Sequence, residues 1–167
     1  ADSNDITSSG VFYGKTPGYF RVGGYNFIEN RWLAWGGGIA ITAYQDMGED
    51  EDTDFQLQRC VMPFDGYIQH ITLKPKTSAG NTNIRFFKVT GTELAENLDN
   101  EDTQVGDTLT LDLSTAGLPQ TARYGPNASF SRGDVLGVKV DPNTNPFHLD
   151  GILVLMFDVE NVPSDHI

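Results

Sequence analysis

The carboxylates of Asp46-Met47-Gly48-Glu49-Asp50-Glu51-Asp52-Thr53-Asp54 and of Asp99-Asn100-Glu101-Asp102-Thr103-Gln104-Val105-Gly106-Asp107 are the densest groups of candidate ligands in the chain. A hard cation such as calcium takes about six to eight oxygen ligands, which clustered acids can supply. Neither stretch has the spacing for it: the alternating acids closed by a glycine that turn a calcium loop are missing. Both stretches, 46–54 and 99–107, therefore read first as solvated loops between strands. A cation bridging subunits is the secondary reading, and no metal or cofactor is required.

Other chemical signatures are incomplete. Gly14-Lys15-Thr16 matches the end of a phosphate-binding loop, but the required first glycine falls on Ser9, and Pro17-Gly18 is a poor continuation as a helix. His70, His148 and His166 lie far apart and outside any zinc-binding spacing, so each reads as a surface or interface residue. No Gly-x-Ser-x-Gly nucleophile elbow occurs, and the serines look like turn residues. The paired carboxylates of a glycosidase can be remote in sequence, yet nothing marks a pair here. Cys60 is the single cysteine, which precludes an intrachain disulfide and a thiolate cluster. Its strand-like setting, Gln56 to Met62, predicts a small buried residue instead of a reactive thiol. No enzymatic activity is expected.

The aromatic residues are more telling. Phe12, Tyr13, Tyr19, Phe20, Tyr25, Phe27, Trp32 and Trp35 crowd the first 35 positions together with Gly10, Gly14, Gly18, Gly23 and Gly24. Glycine disfavours a regular element, whereas the rings need burial. An extended N-terminal arm, residues 1–35, docked on its own body or on a neighbouring subunit, meets both demands. These eight rings are the candidate subunit-interface residues. A sugar-stacking platform built from Tyr19, Tyr25, Trp32 and Trp35 is the alternative use.

The elements that position these groups belong to residues 36–167, read as a β-sandwich domain. Short alternating runs recur: Ile39 to Tyr44, Gln56 to Met62, Tyr67 to Lys74, Asn83 to Val89, then Leu109, Leu111 and Leu113, then Leu136, Val138 and Val140. In the third run a strict period of two places Tyr67, Ile71 and Leu73 on one face and His70, Thr72 and Lys74 on the other. Ile152 to Phe157 is apolar on both parities, which predicts a central strand covered on both sides. Turns rich in Gly, Pro and Asn separate the runs, and no apolar stripe of helical period is sustained. The fold class is all-β: an antiparallel, jelly-roll-like sandwich of about eight strands.

Composition narrows the partners. The chain has 11 Lys and Arg against 23 Asp and Glu, a formal net charge of -12 that repels a phosphate backbone. Direct nucleic-acid binding is not expected. No stretch approaches the roughly 18 to 20 apolar residues of a membrane-spanning helix, so no membrane association is expected.

Four segments taken together carry a family resemblance: Met62-Pro63-Phe64-Asp65-Gly66-Tyr67-Ile68, Ser78-Ala79-Gly80-Asn81-Thr82-Asn83-Ile84-Arg85-Phe86-Phe87-Lys88, Phe130-Ser131-Arg132-Gly133-Asp134-Val135-Leu136-Gly137 and Asp141-Pro142-Asn143-Thr144-Asn145-Pro146. In this order, over residues 59–159, the chain resembles small structural proteins of marine tailed phages, including those of cyanobacteria. The resemblance implies a jelly-roll-like virion component without catalysis. The expected role is a capsid decoration or cement protein, bound to the major capsid protein or other virion proteins through its arm and sandwich edges. It implies a homo-oligomer or many copies per particle, on the capsid surface in preference to the tail. A receptor- or glycan-binding module of a tail fibre or spike is the alternative.

Overall fold

The computed structural model describes residues 14–25, 31–36, 59–90 and 103–159, and among these there is no helix. The strands are β1 (Lys15–Tyr25), β2 (Arg31–Trp32), β3 (Ala34–Trp35), β4 (Cys60–Val61), β5 (Asp65–Pro75), β6 (Gly80–Val89), β7 (Gln104–Leu113), β8 (Gln120–Arg123), β9 (Ser129–Phe130), β10 (Val135–Pro142) and β11 (His148–Asp158). One sheet runs β3-β1-β11-β5-β8, with β9 also on β5. The other runs β2-β10-β6-β7, with β4 also on β10. Neighbouring strands are antiparallel throughout.

The chain changes sheet at every step from β1 to β6, and again from β7 to β8, from β9 to β10 and from β10 to β11. These crossings make the sandwich jelly-roll-like, as expected from sequence. The core lies between the sheets: Ile68, Ile71, Leu73, Leu149, Leu153 and Leu155 from the first meet Ile84, Phe86, Leu113, Leu136, Val138 and Val140 from the second. The alternation of β10 is the cleanest case, since Leu136, Val138 and Val140 point inward at 0 % exposure.

The N-terminal segment departs from expectation. Residues 15–25 are a full strand, paired with β11 from Lys15↔Asp158 to Tyr25↔His148. β2 and β3 join the two sheets as well. In its described part the segment is therefore a strand docked on its own body and not a free arm. Residues 1–13 and 26–30 lie outside the described residues, as do the runs Ile39 to Tyr44 and Gln56 to Gln58 and the acidic stretch 46–54.

The glycines that argued against a strand make room for rings. Gly18 faces inward on β1, where a Cβ would overlap the Phe157 ring and stand 2.9 Å from the Phe20 ring. Phe157 sits at the hub of this cluster, with edge-to-face contacts to Phe20, Phe64 and Phe130 at centroid distances of 6.1, 5.8 and 6.0 Å. The penalty of about 0.5–1 kcal/mol for glycine in a strand is offset by this aromatic burial and by the ladder to β11.

A bulge corrects the facing of β5. Val154 pairs with His70 and Leu155 with Ile68, so Gln69 is skipped, and its carbonyl accepts from the Tyr124 N–H at 2.9 Å. The extra residue shifts parity. Ile68 is buried inside, and Tyr67 turns outward instead of sharing a face with Ile71 and Leu73. β11 is central, between β1 and β5, but its outer side is incompletely covered: Ile152 remains 41 % exposed.

Gly66 offers a direct test of the packing. A Cβ there would overlap the Met156 carbonyl oxygen and stand 2.9 Å from the Phe130 ring. Because a backbone atom cannot move aside cheaply, Gly66→Ala is expected to cost about 2–3 kcal/mol of stability. Urea unfolding measures it, and an unchanged midpoint would contradict this packing.

Candidate functional site

The four segments of the family resemblance gather at the turns of the sandwich. Asp65 begins β5 and Phe130 ends β9, side by side on the first sheet, where Gly66 pairs with Phe130. Asp65 Oδ1 accepts the Arg132 N–H at 2.7 Å, which ties the Pro-Phe-Asp-Gly start to the Phe-Ser-Arg-Gly-Asp turn. The backbone repeats the tie: Met62 N–H donates to the Asp134 carbonyl, and Gly133 N–H donates to the Met62 carbonyl, both at 2.8 Å. Gly133 has φ +88°, a left-handed conformation that a side chain would strain.

Asp134 is the hub of this lock. Its side chain is 5 % exposed; Oδ2 accepts the Ser131 N–H at 2.8 Å and lies 3.5 Å from Lys88 Nζ. Lys88 belongs to β6 in the second sheet and also donates to the Ser129 carbonyl in the first, at 3.2 Å. One lysine thus bridges the two sheets at their margin.

The remaining segments form a second lock. Thr144 N–H donates to the Ala79 carbonyl at 3.1 Å and its hydroxyl to the Ser78 carbonyl at 2.8 Å, while the Thr77 hydroxyl donates to the Asn145 carbonyl at 3.2 Å. Next to them Phe147 adopts φ 60° and is 50 % exposed, its N–H donating to Asn145 Oδ1 at 2.8 Å. The carboxylate and hydroxyls of both locks are therefore engaged in holding turns.

The eight candidate interface residues do not act as a group. Trp32 and Trp35 are 3 % and 8 % exposed, and Phe20 packs against the core with its ring 5.6 Å from that of Trp35. These three rings stabilise their own subunit and are not open to a partner, because the strands that carry them are built into the sandwich. Neither indole N–H has a partner, a desolvation cost of about 1–3 kcal/mol each borne within a large apolar burial. A sugar platform including both tryptophans is thereby excluded. Phe12, Tyr13 and Phe27 lie outside the described residues; Tyr25 ends β1 opposite His148. Tyr19 alone of the eight is shown pointing outward, at 67 % exposure.

Tyr19 belongs to the outer face of the first sheet, a surface that strand-by-strand reading missed. Across β1, β11, β5 and β8 the register aligns Tyr19, Val154, His70 and Arg123 in one row. The next row holds Arg21, Ile152, Thr72 and Thr121, with the two threonine hydroxyls 2.7 Å apart. On the other side come Pro17, Met156 and Tyr67, the last carrying Lys15 Nζ 5.1 Å from its ring centroid. The signal for Tyr67 was hidden by the bulge at Gln69. The second sheet is different: on its outer side Trp32, Phe87 and Val89 are already buried, with Lys139 Nζ 5.5 Å from the Trp32 ring and the Arg85 guanidinium 5.7 Å from the Phe87 ring.

Titration follows the same geography. His70 Nδ1 is buried without a hydrogen-bond partner, and burial, aided by the Arg123 charge, lowers the imidazole pKa from 6.5. Burial raises the pKa of the half-buried Cys60 thiol, which opposes thiolate formation. Lys15 and Thr16 of the Gly-Lys-Thr triplet open β1 opposite Asp158 and Phe157. Within the second acidic stretch, residues 104–107 are not loop but the start of β7. Among the described residues no three His, Cys, Asp or Glu side chains come together as a metal site.

No protein-family model matches the chain, and no curated protein matches it.

Two measurements check this geometry. Asp134→Ala strands Lys88 and the Ser131 N–H and is expected to cost about 2 kcal/mol, against less than about 1 kcal/mol for Asp65→Ala at the exposed edge. Equal losses would contradict the hub. In proton NMR, His70 is expected to half-protonate below pH 6.5 and Arg123→Gln to move that midpoint upward. Its contribution to stability is then complete above 6.5 and declines as the pH falls from there toward the folded-state value. A midpoint at or above 6.5 would contradict the partly desolvated imidazole beside Arg123.

Proposed function

We propose that the chain is a non-enzymatic structural component of a virion, a capsid decoration or cement protein present in many copies on the head. The observation that supports this reading is how the segments of the phage resemblance pair up: each engages another in one of two turn locks. Under this reading the locked turns form a framework suited to bearing contacts. The partners under this reading are the major capsid protein or other virion proteins.

The mode of attachment is revised from the sequence expectation. Trp32, Trp35 and Phe20 hold the body together, so contact with virion proteins falls to the sandwich edges, while the outer sheet face around Tyr19 stays open to a neighbouring copy. An aromatic centre inside a polar rim is the usual make-up of a protein contact surface. The high net negative charge keeps decorated particles mutually repulsive.

One observation favours the alternative, a receptor- or glycan-binding module of a tail. Phe147, half-exposed at a loop tip and held at positive φ, is the kind of strained aromatic that sandwich loops present to ligands.

Quantitative mass spectrometry of purified virions separates the two. Decoration predicts copies in the hundreds, and a copy number of a few tens or fewer would overturn it in favour of the tail. On a glycan array the decoration reading predicts no binding, whereas binding abolished by Phe147→Ala would support the module.

A further inference from the structure

We propose that the outer face of the β3-β1-β11-β5-β8 sheet, centred on Tyr19, Ile152 and Met156, is the surface on which a second copy of this chain docks. The proposal does not depend on the virion reading and would hold for a sandwich of any function.

Three observations carry it. The first is the asymmetry of the two sheets. On the outer side of the β2-β10-β6-β7 sheet Phe87 is 0 % and Trp32 3 % exposed, with Arg85 and Lys139 beside their rings. The opposite face leaves Tyr19 at 67 % and Ile152 at 41 %. One outer face is closed, and the other leaves large apolar side chains open to a partner.

The second is charge. Two copies of a chain of net charge -12 repel through most of their surfaces. This face departs from that average: it carries Lys15, Arg21, Lys74 and Arg123 against Asp65, Asp150 and Asp158. The signs are mixed at both ends, Lys15 with Asp158 and Asp65 at one and Lys74 with Asp150 at the other. Two like faces can therefore meet without setting a block of one sign against itself. A strongly basic partner would find no excess of acids here, and a strongly acidic one only a slight excess of cations. A balanced surface fits another copy of itself best.

The third is the make-up of the patch. Its middle rows, from Pro17, Met156 and Tyr67 to Arg21, Ile152, Thr72 and Thr121, hold Arg21 and Arg123 as permanent charges, both on flanking strands, and the Lys15 ammonium reaches the Tyr67 ring from the strand end. His70 stays neutral near neutral pH. The remaining charges lie at the strand ends, so the surface has the charge-poor, aromatic centre and polar rim of an isologous contact.

Sedimentation velocity of the full chain, up to about 100 µM, tests this. The wild type is expected to associate, and Tyr19→Glu or Ile152→Glu to weaken association at least tenfold. Val61→Glu and Leu118→Glu, which alter exposed apolar residues elsewhere, are expected to leave it unchanged. Circular dichroism checks that each variant folds, and Ile152→Gln serves should a charged variant fail. A wild type that stays monomeric, or control variants that weaken association equally, would overturn the proposal. So would a monomer whose attachment to virions is lost with Tyr19→Glu, which would assign the face to a different protein and leave the virion reading standing.

Discussion

The antiparallel ladder between β1 and β11 is the constraint on which the rest depends. By pairing Lys15 to Tyr25 with His148 to Asp158 along its whole length, it makes the Gly- and aromatic-rich N-terminal segment part of the sandwich. The pleat then settles the fate of each ring. Gly18, Phe20 and Val22 face inward, where Phe20 completes the cluster around Phe157, and Pro17, Tyr19 and Arg21 face outward. Shifted by one residue, the ladder would expel Phe20 and bury Arg21. The inner packing and the outer face are thus two sides of a single register.

The locks extend this logic to the turns. Asp134 collects a turn N–H and the Lys88 ammonium at the margin of the core, while the adjoining backbone fastens Met62 to Gly133 and Asp134. Because Lys88 comes from the second sheet, the lock fixes the sheets relative to each other as well as the turn. The Pro-Phe-Asp-Gly, Phe-Ser-Arg-Gly-Asp and Asp-Pro-Asn-Thr-Asn-Pro segments are therefore its joints. Such segments serve the architecture first, and the functional proposal draws its contact surface from elsewhere, from side chains between them.

Much of the sandwich was legible in the sequence because period-two alternation is a direct readout of a half-buried sheet. Leu136, Val138 and Val140, and Leu111 with Leu113, behave as their spacing predicts. Two features were not legible. The bulge at Gln69 depends on pairing with Val154 and Leu155, more than 80 positions away, and no local signal marks it. Glycine in β1 reads locally as a breaker, and only the nearby rings of Phe20 and Phe157 explain why a strand needs it there. The same reasoning separates the aromatics: burial was correctly expected for Trp32, Trp35 and Phe20, but the surface that receives them is their own subunit. The outer face could be seen only after register had aligned Tyr19, Val154 and His70 across three strands.

Amide hydrogen exchange of the isolated protein, resolved over residues 15–25, tests the central claim most directly. If β1 is an integral strand, the amides of β1 that donate to β11 exchange as slowly as their counterparts on β11, in a single cooperative unit with the core. Exchange at the rate of an unstructured peptide, with β11 still protected, would show that the N-terminal segment is an arm after all and would remove the register from which the outer face was built.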